Sequence, residues 1–379
     1  MIKRTLQELC LNITDGKHGD CENEENSGYY FISCKDIFDG QINYKNARQI
    51  TKADFEETHK RTMLEVDDIL LTNSGTIGRM AFVTDREATT KTTFQKSVAI
   101  IKPDKQKVLP RYLYYQLQNC VPQFINSSNG SAQKNLLLST MRTFQIEIEE
   151  NREKQEKIAN TLSAYDDLIE NNQKQIKLLE EAAQRLYKEW FVDLRFPGHE
   201  NTKIVDGVPE GWSRTNINGI LTFHRGYDLT KNEMKAGRYP VVGSTTVIGY
   251  HNEFKIKGPG IVTGRSGSLG KYQFIWDNFW PHNTSLYLSD YKDHNIFFVY
   301  SLLQTVDFAS LNNGGAIPTL NRNVLSNIEV IEPTDELQEM FAKIAEPQYQ
   351  KIKNLEKQND RLKTARDLLL PKLMSGEAV

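Results

Sequence analysis

The chain has 379 residues, 39% hydrophobic and 25% charged, with a formal net charge of −2. That length suits two ordinary domains with connectors, and the longest apolar runs, such as Ile69-Leu70-Leu71, are far too short to span a bilayer. The opening residues lack an apolar signal core, and the four cysteines (Cys10, Cys21, Cys34, Cys120) form no C-x-x-C pair, so a cytoplasmic protein with reduced thiols is expected.

Charge is segregated along the chain. Residues 1–85 carry ten basic and fifteen acidic side chains. Short alternating strands and turns punctuated by Gly and Asn follow, with strands expected at Arg79–Val83 and Ser97–Ile101. Residues 86–142 hold nine Lys/Arg against two acids, a local excess suited to phosphate. Pro110 opens a helix expected to run to about Asn119, and a last strand, Thr143 to Ile148, leads into a long helix. Residues 222–274 form a second basic stretch, eight Lys/Arg against three acids.

The second half repeats the first. Asn73-Ser-Gly-Thr-Ile-Gly-Arg-Met-Ala-Phe82 matches Arg265-Ser-Gly-Ser-Leu-Gly-Lys-Tyr-Gln-Phe274. Tyr112-Leu-Tyr-Tyr-Gln-Leu-Gln118 matches Phe297-Phe-Val-Tyr-Ser-Leu-Leu303, and Asn129-Gly-Ser-Ala132 matches Asn313-Gly-Gly-Ala316. Order is kept while the offset drifts, as when only loops gain or lose residues. A period near half the chain is a tandem duplication.

Two long heptad seams end the halves. The first runs Ile158, Leu162, Tyr165, Ile169, Asn172, Ile176, Leu179, Ala183, Leu186, Trp190. The second runs Phe341, Ala345, Gln348, Ile352, Leu355, Asn359, Leu362, Arg366, Leu369, Leu373. Each helix, roughly 35 residues, would be about 50 Å long. An antiparallel, centred pairing places residue i opposite 531 − i, so Asn172 faces Asn359 and Tyr165 faces Arg366. A buried Asn pair resists slippage and so fixes register.

The segments Gly207-Val-Pro-Glu-Gly-Trp212, Phe223-His-Arg-Gly-Tyr227, Tyr239 to His251 and Gly258 to Gly270 carry a family resemblance. So do the helical Gln155 to Asn172 and Leu186-Tyr-Lys-Glu-Trp-Phe-Val-Asp193. Together they resemble the specificity subunit of type I restriction–modification systems, over essentially the whole chain. The resemblance implies an α+β (mixed α/β) chain with two target recognition domains related by a pseudo-two-fold. A long antiparallel two-helix coiled coil would separate them. The expected segments are a first recognition domain at 1–149, a central spacer helix at 150–192, a second recognition domain at 193–333 and a C-terminal spacer helix at 334–379. Each domain would read half of a bipartite site in double-stranded DNA. The helices would set half-site spacing and dock two methyltransferase subunits, with restriction subunits completing the complex. S-adenosylmethionine, ATP and magnesium would belong to those partners and none to this chain. Because Asn12-Ile-Thr-Asp-Gly-Lys-His18 replaces the Phe223 motif, the site is expected to be asymmetric.

Candidate DNA contacts are long donors near Gly, Asn and Ser turns in the basic windows. In the first domain these are Ser74, Arg79, Lys91, Thr92, Gln95, Lys96, Asn129 and Lys134. In the second they are Arg225, Ser244, Thr245, Tyr250, His251, Arg265, Lys271, His282 and Asn313. Gly75, Gly78, Gly267, Gly270, Gly314 and Gly315 fit turn geometry, and Tyr112, Tyr114, Phe297 and Tyr300 fit a core.

Catalytic motifs do not assemble. Gly264 to Lys271 spaces its outer glycines wrongly for a phosphate loop and puts Tyr272 where Ser or Thr must hold magnesium. No G-x-G-x-x-G occurs, and the seven histidines show no metal spacing. The competing classes are a coiled-coil protein-binding scaffold without DNA readout and a stand-alone nuclease or methyltransferase; the segregated basic windows argue against the scaffold.

Overall fold

The computed structural model describes residues 1–128, 134–265, 270–306 and 328–377. They group into two compact units, Met1–Glu170 with Asn359–Val379, and Asn171–Gln358. Each long helix thus contributes one part to each unit.

In the first unit a four-stranded antiparallel sheet runs in the order Cys10–Asp15, Val98–Pro103, Ile69–Thr72, Met80–Phe82. Its two central strands are buried residue by residue, because both faces are covered. The two-residue period then sorts side chains between two cores. Ile69, Leu71, Ala99 and Ile101 join the large core with Tyr112, Leu113 and Leu162, while Leu70, Val98 and Ile100 join a smaller one with Ile32 and Phe94. A three-stranded sheet, Arg48–Gln49, Tyr30–Ile32, Thr92–Phe94, pairs antiparallel and then parallel. Ile2–Thr5 pairs with Gln145–Ile148.

The second unit repeats this plan. Its four strands run Thr222–Arg225, Ser285–Asp290, Gly260–Gly264, Tyr272–Ile275, again all antiparallel. Its three-stranded sheet, Val247–His251, Tyr239–Val242, Trp280–Pro281, has the same antiparallel-then-parallel pattern. Ser213–Asn216 pairs with Glu329–Glu332, as the first and last strands of the first unit do. Ile261 and Leu288 face one core, Val262 and Tyr287 another. The duplication read from sequence is a duplication of sheet order, strand polarity and core layering.

The helix opened by Pro110 spans Pro110–Asn119, and its counterpart Ile296–Thr305 is capped by Asn295, whose side chain accepts from the Phe297 N–H at 2.9 Å. Tyr112, Tyr114 and Phe297 are buried and Tyr300 is half-buried against the second core. Between Ile32 and Thr72 the first unit has 18 residues more than the second has between Val242 and Gly264; the excess includes the helix Lys52–Thr62.

The central helix spans Arg152–Tyr187, followed by a π-helical turn over Lys188–Val192, and the C-terminal helix spans Asp335–Met374. Every position of both seams is buried or half-buried. Within the first unit Ile158, Ala159 and Leu162 share a core with Leu373 and Met374, so the two stretches run antiparallel there. The Asp166 carboxylate, beside the seam position Tyr165, accepts from Arg366 Nη1 at 2.5 Å and from the Tyr115 hydroxyl at 2.6 Å. Within the second unit Ala183 and Tyr187 pack with Phe341 and Ala345, and Asn172 Nδ2 donates to Gln358 Oε1 at 3.3 Å. Among the described residues no helix is long and apolar enough to cross a membrane.

Candidate nucleic-acid interface

In the first unit main-chain bonds gather several loops at one end of the four-stranded sheet. After Asp15 the chain passes through Gly16, where an added Cβ would lie 1.9 Å from the Phe94 carbonyl oxygen. Only glycine permits that approach. Lys17 N–H then donates to Phe94 O at 2.8 Å, Gln95 N–H to Ile32 O at 2.9 Å and Asn73 N–H to Ser97 O at 3.0 Å. Cys34 N–H donates to Ser97 Oγ at 3.1 Å, and Ser74 bridges to Asn135. Loops near residues 16, 34, 74, 96 and 135 thereby form one surface.

The second unit builds the same surface with different side chains. At Gly226 an added Cβ would lie 2.1 Å from His282 O. Tyr227 N–H donates to Pro281 O at 2.8 Å, His282 N–H to Val242 O at 2.8 Å and Arg265 N–H to Thr284 O at 3.1 Å. The Ser244 hydroxyl donates to Thr284 O at 2.7 Å.

These loops bring together many of the side chains expected from sequence. Half-buried Ser74 and Gln95 and exposed Lys96 and Lys134 lie in the first cluster, and exposed Arg79 is tied to its edge by the bond from Thr72 N–H to Arg79 O at 2.8 Å. Exposed Arg225, Thr245 and Arg265 and half-buried Ser244 lie in the second. Exposed Lys271 directly precedes the strand Tyr272–Ile275, and its carbonyl accepts from the Thr263 hydroxyl at 2.9 Å. His282 is there too, but both ring nitrogens are used within the unit, toward Thr284 Oγ1 at 2.9 Å and Leu229 O at 3.2 Å. It positions its loop.

Of the other expected contacts, Thr92 and His251 are corrected by their burial, while Lys91 and Tyr250 lie outside the clusters. Thr92 is fully buried, its hydroxyl bonded to that of Tyr44 at 2.9 Å, so it offers nothing to a ligand. Lys91 precedes it, at the strand end remote from Gln95, and is ion-paired with Glu87 at 2.5 Å. His251 is buried, accepts from Lys235 N–H at 3.0 Å and meets Trp280 edge-on. It and exposed Tyr250 lie at the end of their strand away from the Gly243 turn. Asn129 and Asn313, with Gly267, Gly314 and Gly315, fall outside the described residues. Gly75, Gly78 and Gly270 have φ of 78°, 93° and 79°, the turn geometry expected of them.

Sequence reading missed three cationic side chains at the first cluster. Lys35 is exposed beside Cys34. Lys17 is held by Asp54 at 2.9 Å and Glu57 at 3.1 Å, and these partners raise its pKa above the ordinary lysine value. Arg61, from the Lys52–Thr62 helix, donates to Asp15 Oδ1 at 2.5 Å, while His18 Nε2 meets Asp15 Oδ2 at 3.0 Å. Arg61 and Lys17 lie in the acidic first 85 residues, where a charge count conceals them. The thiols of Cys10 and Cys120 are pushed up to about 12 and about 11 by burial, which makes them inert packing groups. Among the described residues no group of acids, histidines and cysteines could hold a metal.

The role of the chain is given by comparison with known proteins. The profile of the type I restriction modification DNA specificity domain matches residues 3–181 and again 209–364. The chain belongs to that family. The MjaIX type I restriction enzyme specificity subunit of Methanocaldococcus jannaschii is 28% identical over 92% of this chain and 86% of its own length. The EcoBI specificity subunit of Escherichia coli is 28% identical over 45% of this chain and 35% of its own length. The crystal structure of the S subunit of a type I restriction-modification system from M. genitalium shares the fold, with a TM-score of 0.59 at 18% identity, covering 98% of this chain and 95% of that one. The specificity role agrees with a surface built twice on one main-chain plan and furnished differently each time: this is a DNA-recognition subunit.

Proposed function

We propose that each unit reads one half of an asymmetric bipartite DNA site through its strand-end loop cluster. The observation that carries this is the match of main-chain bonds between clusters whose side chains differ. A common frame presents Ser74, Arg79, Lys96 and Lys134 in one copy and Arg225, Thr245, Arg265 and Lys271 in the other. Arg and Lys suit guanine or phosphate, Ser and Thr either bases or phosphate. The long helices set half-site spacing, with buried Asn172 and Asn359 fixing their register, and dock two methyltransferase subunits; restriction subunits complete the complex. The chain is itself non-catalytic and works in the cytoplasm, and S-adenosylmethionine, ATP and magnesium act on the partner subunits. Exchanging residues 205–333 for the corresponding stretch of another family member tests the modular reading. Mapped adenine methylation by the reconstituted complex should change in one half-site only. Change in both halves, or none, refutes it.

A further inference from the structure

At one position the two clusters carry opposite charges. Asp15 and Arg225 occupy the same place: each ends the first strand of its four-stranded sheet, pairs with Ala99 or Leu286, and precedes the glycine that touches the neighbouring loop. A carboxylate therefore stands where the other unit has a guanidinium. The structure resolves this opposition. Arg61, carried by the helix that only the first unit inserts, reaches back to Asp15 at 2.5 Å, with Nε 3.5 Å from Thr14 Oγ1. Arg225 in turn has Asp228 at 3.7 Å. Both side chains are half-exposed, 50% for Arg61 and 52% for Arg225. Each unit thus sets one arginine at the same strand end: Arg61 is bonded to Asp15 and Thr14, and Arg225 is ion-paired at 3.7 Å with Asp228.

We propose that Arg61 and Arg225 are equivalent guanine readers, one per half-site, and that Asp15 and Asp228 are the positioning residues that aim them. The proposal rests on the reading of each cluster as a half-site reader and adds which side chain reads and what base it takes. Guanine presents two acceptors, O6 and N7, to the major groove, and an arginine meets them with two parallel N–H donors. A carboxylate on another edge restricts the side-chain rotamers before DNA arrives, which lowers the ordering cost of that bidentate contact. In the first unit Asp15 also takes His18, so its orientation is fixed from two sides. Lysine keeps the charge but cannot make the planar fork.

The test uses the full chain assembled with its methyltransferase subunits and a pool of duplexes carrying two randomised blocks, with bound duplexes sequenced. The unaltered complex should enrich a bipartite motif with a guanine in each half; enrichment of nothing overturns the half-site reading itself, not merely the arginine assignment. Arg61→Lys should lose preference for one guanine in one half-site by about 5- to 150-fold and leave the other half intact. Arg225→Lys should do the same in the other half, and since it sits on an exposed strand end it stands in if Arg61→Lys lowers the melting temperature. Asp15→Asn should weaken preference at the same base as Arg61→Lys without changing the salt dependence of binding. An unchanged motif, an equal loss in both halves, or a motif without guanine overturns the assignment.

Discussion

Asp166 ties three elements of the first unit together, and its removal has a calculable cost. Its carboxylate takes the Tyr115 hydroxyl from the Pro110–Asn119 helix at 2.6 Å and Arg366 Nη1 from the C-terminal helix at 2.5 Å. Tyr115 is fully buried, so Asp166→Ala leaves a hydroxyl without its acceptor, which costs about 1–3 kcal/mol. Losing the charge-assisted bond to Arg366 adds about 1.5 kcal/mol, the low end of the range, because both side chains are about one-fifth exposed and Arg366 keeps Asp367 at 2.8 Å. Asp166→Ala should therefore cost about 3 kcal/mol in local stability. Arg366→Met should cost about 1.5 kcal/mol, since Asp166 keeps Tyr115. The double variant should cost no more than Asp166→Ala alone, a coupling of about 1.5 kcal/mol. Amide exchange resolved by peptide should show the loss over residues 110–119, 159–169 and 362–373. All four tryptophans, at 190, 212, 276 and 280, lie in the second unit, so their fluorescence serves as a control for that unit. Strict additivity, or a change under 0.5 kcal/mol by exchange, would refute the tie, since the lower bounds above already exceed it.

Three further outcomes follow from the same geometry. Gly226→Ala puts a Cβ 2.1 Å from the His282 carbonyl oxygen and must prise the loops apart, at about 1–3 kcal/mol; binding by the complex should fall at one half-site while selection at the other is unchanged. Four residues inserted into the central helix should move the half-sites apart by about 6 Å, roughly two base pairs, read from methylation maps; unchanged spacing counts against the helices as spacers. Asp68 is lifted to about 6, chiefly by burial and against the pull of Lys102 at 2.7 Å. A carboxyl raised in the folded state contributes stability that is full below its unfolded value and lost as pH climbs through 6. Relative to Asp68→Asn, the native chain should thus gain about 1 kcal/mol between pH 7.5 and pH 5, measured by exchange in the Ile69–Thr72 strand; a loss on acidification refutes the assignment.

Periodic features were legible in the sequence and positional ones were not. The seams could be read because burial at a heptad spacing is a local pattern, and the helix from Pro110 because proline at a first turn is a local signal. The partner of Arg366 was not legible, because its long side chain reaches Asp166, which lies beside the seam position Tyr165. A basic window says how much charge a stretch carries but not which face presents it. Thr92 and His251 were drawn in for that reason, although each points into its sheet. Arg61 escaped for the opposite reason: it sits 46 residues from Asp15, in an acidic stretch, and only folding brings the two together.

The frame beneath the two proposed readers is almost wholly main chain, so one plan can carry different side chains. Gln95 and His282 both donate their N–H to a carbonyl in the neighbouring sheet, Ile32 O at 2.9 Å and Val242 O at 2.8 Å. Val98 and Ser285 both close the next turn, at 3.0 and 2.9 Å onto the carbonyls of Gln95 and His282. Bonds between backbone groups place no demand on side-chain identity, so the exposed residues between them can change without loss of the loop arrangement. The exception is the glycine at each strand end, where contact with a carbonyl forbids any Cβ. The residue before that glycine differs between the copies, Asp15 in one and Arg225 in the other, while the glycine is common to both. The inserted helix then supplies in the first copy the guanidinium that the strand itself supplies in the second.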